Sequence, residues 1–411
     1  MTTLQVLSVL FATAALFGML SRRWLGLPVT IGTMLLTVIT SVALASARTL
    51  APGLHAWASD FAHQIDFQSI ILHGMLPLLL FAGAFLLDIE QLAREKLAVS
   101  ILAVAGTLIS TFAVAGLMDL LAGSQLSWLQ CLVFGALISP TDPIAVLEML
   151  RRAGVSRPIR AQLAGESLFN DGIGAVLFIG MLQLAEGGNS APLHLAWLLF
   201  LKSGGAVLLA VAAAWLASSL MHRVEAYQVD ILFTIALALG GYVLAEFLHL
   251  SGPLEAVVAG IALRVFNRRQ PSPRIAHQQI DQFWEVIDEI QNSVLFVLLG
   301  LETLAIPIDW ANLRNGITAI FSVNLVRFVA VAAILLLVRA VRRDHKSSVF
   351  VLTWGGLRGG LSIALALSVP EAMGRSWMLS ATYLVVVFSI LLQGASMNWL
   401  LHRLQHRKMP A

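Results

Sequence analysis

The sequence predicts an all-α integral membrane protein. Three observations lead to this fold class: the composition, a series of apolar segments long enough to cross a bilayer, and a central interruption in two of those segments. Of the 411 residues, 58% are hydrophobic and only 12% are charged. Soluble domains carry about 25% charged residues and close to half apolar residues. The composition therefore excludes a soluble enzyme, a disordered protein and a nucleic-acid-binding protein.

Thirteen segments have the apolar length that a membrane-spanning helix needs, which is about 20 residues. They cover residues 3–20, 27–47, 67–87, 97–121, 128–150, 162–184, 194–220, 229–248, 252–266, 287–304, 315–338, 348–369 and 377–401. The ninth is the shortest. No connection is long enough for a soluble domain, so the chain is predicted to be one membrane unit over 1–411. Residues Ile275 to Val286 are interpreted as an interfacial helix or linker.

The Lys and Arg residues of the loops predict the orientation, because cytoplasmic loops are enriched in them. Twenty fall on one side: Arg22, Arg23, Arg94, Lys96, Arg151, Arg152, Arg157, Arg160, Arg223, Arg264, Arg268, Arg269, Arg274, Arg339, Arg342, Arg343, Lys346, Arg403, Arg407 and Lys408. Three fall on the other: Arg48, Arg314 and Arg375. With residues 1–20 interpreted as a span, because no positive charge precedes them as in a signal peptide, the N-terminus is outside and the C-terminus cytoplasmic.

Arg327 and Arg358 lie near the middle of predicted spans, and three carboxylates, Asp142, Glu166 and Asp171, lie in segments five and six. Each ionised group at the bilayer centre costs at least ~2.5 kcal/mol on insertion scales, so it needs a partner, water or a function. Glu166 and Arg327 could form a buried ion pair that only fixes helix packing. Asp171 has no basic residue nearby in its own segment, which favours a functional role.

Two segments are interrupted at their centres. Residues 139–143 hold two prolines, which remove helix hydrogen bonds, and residues 354–360 hold four glycines, which weaken a helix. Because the breaks are seven segments apart, the two helices run in opposite directions. Six spans, a linker span and six inverted spans would explain this, with the broken helices crossing at the midplane as in secondary transporters. Asp142 and Arg358 would then compensate the helix dipole ends.

Segments five and six supply the candidate ion- and proton-binding residues. These are Asp171, Asn170, Ser167, Thr141 and Asp142. Residues four apart share a helix face, so Ser167 and Asp171 point the same way. Oxygen atoms of this kind suit a small alkali cation, and Asp171, Thr141 and Ser167 are the predicted ligands of that monovalent cation. No cofactor is predicted.

A single carboxylate explains exchange, because it can hold one cation or one proton but not both well. Asn170, rather than a second acid, stands beside Asp171. One cation would then exchange for one proton with no net charge moved, unless Asp142 also titrates. Glu166 is predicted to pair with Arg327, and with Arg358 these residues would brace the core.

Three runs resemble signatures of the monovalent cation:proton antiporters, in the NhaP-like branch that includes the animal sodium/proton exchangers. They are Pro-Thr-Asp-Pro at 140–143, Gly-Glu-Ser-Leu-Phe-Asn-Asp at 165–171 and Gly-Gly-Leu-Arg-Gly at 355–359. Through the order of spans, the resemblance covers nearly the whole chain. It implies the NhaA/NhaP-like transporter fold, sodium as the expected cation with potassium or lithium as alternatives, and Asp171 as the ion- and proton-carrying residue.

The resemblance also implies a homodimer in a lipid bilayer that works by an elevator-like movement. The mobile core domain would comprise about 97–184 and 315–401, and the dimerisation domain about 1–87 and 229–304, linked by helix 194–220. Short loops suit a bacterial inner membrane. The tail of about ten residues lacks the long regulatory extension of the animal members.

Other functions stay open at this point. A channel would need a continuous polar lining, whereas the polar groups here cluster at two breaks. A cation-coupled symporter of an organic solute on the same fold is the main alternative. A membrane enzyme is disfavoured, since no GxSxG or HExxH run occurs. His402 and His406 have metal-like spacing but lie in the basic tail.

Overall fold

The computed structural model describes residues 3–46, 64–122, 126–187, 192–223, 226–268, 274–304, 310–341 and 349–406, together with positions 53, 56, 60 and 61. Among these residues the secondary structure is entirely helical, without a strand. The all-α fold class is therefore confirmed. Several basic residues used for the orientation argument lie outside the described residues: Arg48, Arg269, Arg342, Arg343, Lys346, Arg407 and Lys408.

The described ranges contain thirteen long helical regions, one for each apolar segment. They are α1 (Thr3–Leu20), α2 (Val29–Ser46), α3 (Phe67–Phe85), α4 (Ile89–Leu121), α5a (Trp128–Ile138) and α5b (Ile144–Arg152), α6 (Arg157–Ala185), α7 (Pro192–Met221), α8 (Tyr227–Phe247), α9 (Gly252–Arg268), α10 (Arg274–Leu301), α11 (Trp310–Val341), α12a (Val349–Gly355) and α12b (Gly360–Leu367), and α13 (Arg375–Arg403). Four of them contain or end in a wider π-helical turn, at Ser21–Leu25, Ile70–Met75, Leu102–Gly106 and Phe388–Gly394.

Both predicted interruptions are present. The fifth helix stops at Ile138 and restarts at Ile144, and the twelfth stops at Gly355 and restarts at Gly360. The two halves of α12 meet at a bend of 45°. Within the described part of the chain, eight helices are long and apolar enough to cross a membrane, and α12 counted as one span makes nine. The count of thirteen spans and the inverted repeats stay predictions.

The interpretation of Ile275 to Val286 as an interfacial helix or linker is corrected in one respect: these residues are helical and are not a linker, and their interfacial position stays a prediction. These residues belong to the first half of α10, one helix that runs from Arg274 to Leu301. The segment looked separate because Gln, Asp and Glu interrupt its apolar residues. The buried side chains Ile280 and Trp284 nevertheless follow helical spacing and pack on Phe81 of α3 or its neighbours, so packing continues the helix where hydropathy alone does not.

The helices pack in two neighbourhoods that meet along α6 and α9. In the first, α9 packs against α3, α7 and α8, and α10 packs against α2 and α3. In the second, α4 packs against α5a, α6 and α11, and α11 also packs against α13. The broken helices α5 and α12 lie in the second neighbourhood. This arrangement places the two interruptions against each other, and the site is built there.

Candidate functional site

The two interruptions cross and bond to each other through their backbones. The amide of Asp142 donates to the carbonyl of Leu357, with an N–O distance of 2.8 Å. The Arg358 guanidinium donates through Nη1 to the carbonyl of Pro140 at 3.2 Å. Backbone groups freed by a broken helix must find partners when they are buried away from water. The crossing therefore satisfies part of each break with groups from the other.

The crossing is close because glycines leave room for it. A Cβ added at Gly359 would lie 2.6 Å from the Cβ of Asp142, and one at Gly356 would lie 2.7 Å from Nε of Arg327. Real Cβ atoms do not approach other atoms this closely. Any other residue at Gly359 would push α12 away from the break in α5, and any other residue at Gly356 would displace the Arg327 guanidinium.

The two charged residues at the crossing face helix ends of opposite sign. Asp142 accepts a hydrogen bond through Oδ1 from the amide of Ile144 at 3.0 Å, at the first turn of α5b. Arg358 reaches Pro140, just beyond the last turn of α5a. Helix N-termini carry a partial positive charge and C-termini a partial negative charge. Each side chain thus compensates one of the dipole ends that the break in α5 exposes.

Thr141, Ser167 and Asn170 form a buried cluster between the break in α5 and the middle of α6. The Thr141 amide donates to Oδ1 of Asn170 at 3.2 Å, and Nδ2 of Asn170 donates to Oγ1 of Thr141 at 2.7 Å. The Ser167 hydroxyl donates to the Thr141 carbonyl. All three side chains are buried. Both polar atoms of the Asn170 amide are thus committed to Thr141, so Asn170 holds the break in place rather than presenting a free amide oxygen.

Asp171 follows this cluster and is partly exposed, unlike its buried neighbour Asn170. It shares a helix face with Ser167 and interacts electrostatically with Asp142 and Arg358. The next residue, Gly172, packs directly against Leu254 of α9. The arrangement offers a solvent-reachable carboxylate beside hydroxyl and carbonyl oxygens. These are ligands for a hard monovalent cation, and a carboxylate can alternatively hold a proton.

The structure brings Glu166 and Arg327 together as a buried bidentate ion pair. Arg327 donates to both carboxylate oxygens of Glu166, the Nη2–Oε2 distance being 3.0 Å. Nη2 of Arg327 also donates to the carbonyl of Leu352 at 3.0 Å, in the last turn of α12a. The pair therefore ties α6, α11 and α12a together on the side of α6 away from Asp171.

Two features of the site could not be read from its motifs. The acceptor for the Asp142 amide is the carbonyl of Leu357, which any residue could supply. On α10, Asp288 and Asn292 share a helix face with Leu295, which packs on Gly360 of the broken helix α12. Their only sequence signal is an Asp and an Asn four residues apart in an apolar segment. Among the described residues, no three His, Cys, Asp or Glu side chains gather as a metal cluster would.

Comparison with known proteins bears on these residues. A family profile described as "Sodium/hydrogen exchanger, transmembrane" matches residues 9–403. The chain is 37% identical over 410 residues to the Na(+)/H(+) antiporter NhaP of Pseudomonas aeruginosa, covering 98% of this chain and 97% of that protein. It is 33% identical over 346 residues to the Na(+)/H(+) antiporter NhaH of Halobacillus dabanensis, covering 82% and 84%.

A solved structure supports the same fold. The sodium proton antiporter MjNhaP1 from Methanocaldococcus jannaschii, determined at pH 8, superposes with a TM-score of 0.75 over 98% of this chain and 99% of that one. The sequence identity is 18%. At this identity the likeness concerns the fold.

Proposed function

Because this chain belongs to the sodium/hydrogen exchanger family, we propose that it exchanges one sodium ion for one proton across the membrane, with Asp171 carrying each in turn. Potassium and lithium are the alternative cations. The observation that carries the proposal is the position of Asp171. It is a partly exposed carboxylate beside the buried Thr141 cluster, where the two broken helices cross.

The exchange follows from competition at one carboxylate. A bound cation favours the ionised form of Asp171, and a bound proton leaves no charge for the cation to pair with. Thr141 and Ser167 supply oxygen atoms on the same side as Asp171. If the site changes its accessible side only when one of the two ligands is bound, each cycle moves a cation one way and a proton the other.

Electroneutral stoichiometry is supported by the neighbours of Asp171. Asn170 carries no charge, and its amide is held by Thr141 at both ends. Asp142 accepts a hydrogen bond from the first turn of α5b, which favours a constant structural role. One carboxylate would then change its ligand in each cycle, and the occupied site would have the same charge with sodium as with a proton.

The elevator-like movement is part of the same proposal. The core domain, about 97–184 and 315–401, would move against the dimerisation domain, about 1–87 and 229–304, with helix 194–220 as the link. The contact of α6 with α9 would be the sliding surface. We further propose a homodimer in a bacterial inner membrane, with the N-terminus outside and the C-terminus cytoplasmic.

The test uses membrane vesicles from cells without endogenous cation:proton antiporters, loaded with a proton gradient that a pH-sensitive dye reports. Sodium, potassium and lithium are added separately. Asp171→Asn should abolish dye recovery, because a neutral amide holds neither a proton nor the charge of a cation. The matched control is Asp119→Asn, the same chemical change at an exposed position on α4, which should keep the wild-type rate.

Charge movement is measured in the same vesicles with sodium as the cation and the voltage clamped by valinomycin and potassium. A rate that ignores the clamp agrees with one-for-one exchange. A rate that changes with the clamp contradicts electroneutrality and implicates Asp142. Absence of recovery with all three cations would contradict the exchange itself.

A further inference from the structure

A further carboxylate, that of Asp288 on α10, faces the crossing of the broken helices. It lies outside the group formed by Asp171 and the buried Thr141, Ser167 and Asn170. Asp288 and Asn292 are four residues apart and Leu295 follows three later, so the three side chains share one face of the helix. Leu295 packs directly on the break in α12: a Cβ added at Gly360 would lie 2.6 Å from Cδ1 of Leu295. This contact fixes the direction of the whole face, which points at the crossing.

The electrostatic interactions of Asp288 also place this face of α10 toward the crossing. Asp288 interacts electrostatically with Asp142, across the gap between α10 and the break in α5. It is partly exposed. Within the described residues, no salt bridge joins Asp288 to a basic side chain. An Asp at this depth without a cationic partner is costly, unless a mobile cation supplies the charge.

Two amide oxygens beside Asp288 also lack partners. The Asn292 side chain interacts with Asp288, and its Oδ1 is buried with no hydrogen-bond partner in the described structure. Asn292 is 2% exposed. Oε1 of Gln291, three residues from Asp288, is likewise buried and unpartnered. A buried acceptor without a partner loses about 1–3 kcal/mol, and a cation would remove that cost.

From these contacts we propose that Asp288 and Asn292, hereafter the α10 pair, form a binding site for the monovalent cation on its way to Asp171. The site holds a partly hydrated ion through a carboxylate oxygen of Asp288 and Oδ1 of Asn292. Those are hard oxygen ligands, which suit alkali cations. The inference rests on the proposed exchange and adds a second, transient cation-binding site to it.

The position of the α10 pair along its helix predicts which side of the membrane the site serves. Asp288 precedes Leu295 by seven residues, which is about 10 Å along a helix. It is therefore displaced from the crossing toward the N-terminal end of α10. The sequence predicts that this end faces the cytoplasm. The α10 pair would therefore serve cations that approach from the cytoplasmic side and would be out of reach from the other side.

The experiment compares the apparent KM for sodium at the two faces. Everted vesicles present the cytoplasmic face to added sodium, and right-side-out vesicles present the opposite face. Asp288→Asn should raise the KM at the cytoplasmic face by roughly three- to tenfold, the effect of removing one charge that contacts the ion in a cleft where water screens it. The KM at the opposite face and both maximal rates should stay within about twofold.

Control variants separate this effect from surface charge and from misfolding. Glu289→Gln removes the same charge from the next residue, which is exposed, and should leave both KM values unchanged. Asp288→Glu should restore most of the affinity. If Asp288→Asn is not recovered as folded protein by size-exclusion chromatography, Asn292→Leu removes the second ligand at similar volume and should also raise the cytoplasmic KM.

Each outcome decides the matter. Unchanged KM values in folded Asp288→Asn and Asn292→Leu would overturn the α10 site while leaving the exchange proposal intact. An equal rise at both faces would place the effect at Asp171 and would also overturn it. If the wild type exchanges no sodium for protons in either vesicle type, the proposed function fails first, and that result is distinguishable from both.

Discussion

At the scale of single residues, most polar side chains around the site are already hydrogen-bonded or ion-paired to one another. Asn170 bonds Thr141 at both ends of its amide, Ser167 donates to the Thr141 carbonyl, and Glu166 is paired with Arg327. Such buried networks are stable only when their members are satisfied. Asp171 and Asp142 are both partly exposed, but Asp142 is held by the amide of Ile144. The surrounding side chains thus form a hydrogen-bonded frame around the carboxylate that we propose changes its ligand.

The Glu166–Arg327 pair gives the residue-scale prediction. Glu166→Gln leaves the buried Arg327 charge uncompensated, so we expect a loss of about 3–5 kcal/mol of stability, measured as a lower melting temperature in detergent. Because replacing both partners removes the unpaired charge, Glu166→Leu with Arg327→Leu should recover part of that loss. The melting temperature, and not the transport rate, is the quantity that tests this prediction.

The exposed pair between Arg375 and Glu371 is the control. Its side chains are 36% and 82% exposed, and exposed pairs contribute about 0–1 kcal/mol. Glu371→Gln should therefore leave the melting temperature nearly unchanged. Equal shifts for Glu166→Gln and Glu371→Gln would show that the buried pair does not brace the core.

At the scale of elements, the crossing of the broken helices depends on the small size of Gly359. Gly359→Ala would place a methyl group 2.6 Å from the Cβ of Asp142, so α12 must move away from α5. Because the move displaces Asp142 and Thr141 relative to α6, we expect the exchange rate to fall by at least about tenfold. Dye recovery in vesicles measures the rate, and circular dichroism should show unchanged helix content.

A glycine elsewhere in the core provides the comparison. Gly116 lies in α4, and a Cβ there would meet nothing within 4 Å. Gly116→Ala should keep the exchange rate and add about 0.5–1 kcal/mol of stability, since alanine favours a helix over glycine. If Gly359→Ala also transported at the wild-type rate, close approach at the crossing would not matter.

The elements themselves were predictable because their signals are local. Apolar runs mark the helices, and the prolines at 140 and 143 and the glycines near Arg358 mark the breaks. Contacts between residues on different helices were harder to predict from the sequence. The two hydrogen bonds between Asn170 and Thr141 depend on how α6 is rotated against α5. The position of Asp288 depends on α10 being one continuous helix. Neither rotation nor helix continuity is encoded within a short run of residues.

At the scale of the whole molecule, the proposal requires the core to move against α9. Gly172 packs on Leu254 at this contact, with an added Cβ 3.3 Å from that of Leu254. That spacing suits a disulfide after a small adjustment. Cys131 is the only cysteine, and Cys131→Ala gives a suitable background. In it, Gly172→Cys with Leu254→Cys should lose exchange on oxidation and regain it on reduction.

A cross-link inside the predicted core is the matched test. Gly165 of α6 packs on Val99 of α4, with an added Cβ 3.0 Å from Cγ1 of Val99. Oxidising Gly165→Cys with Val99→Cys should leave exchange unaffected, because both helices would move together. Exchange that persists with the α6–α9 cross-link fully formed would rule out sliding at this surface.

The commitment of Asn170 to Thr141 has a consequence for the hydration of the transported ion. With both atoms of that amide occupied, and the Thr141 carbonyl already accepting from Ser167, the protein oxygens that remain near Asp171 to replace the water molecules around a cation are chiefly the hydroxyls of Thr141 and Ser167. If Asp171 carries the ion as proposed, the ion would reach it with part of its water shell retained. Dehydration, the step that most strongly separates alkali ions by radius, is then incomplete. Discrimination among lithium, sodium and potassium should accordingly be shallow.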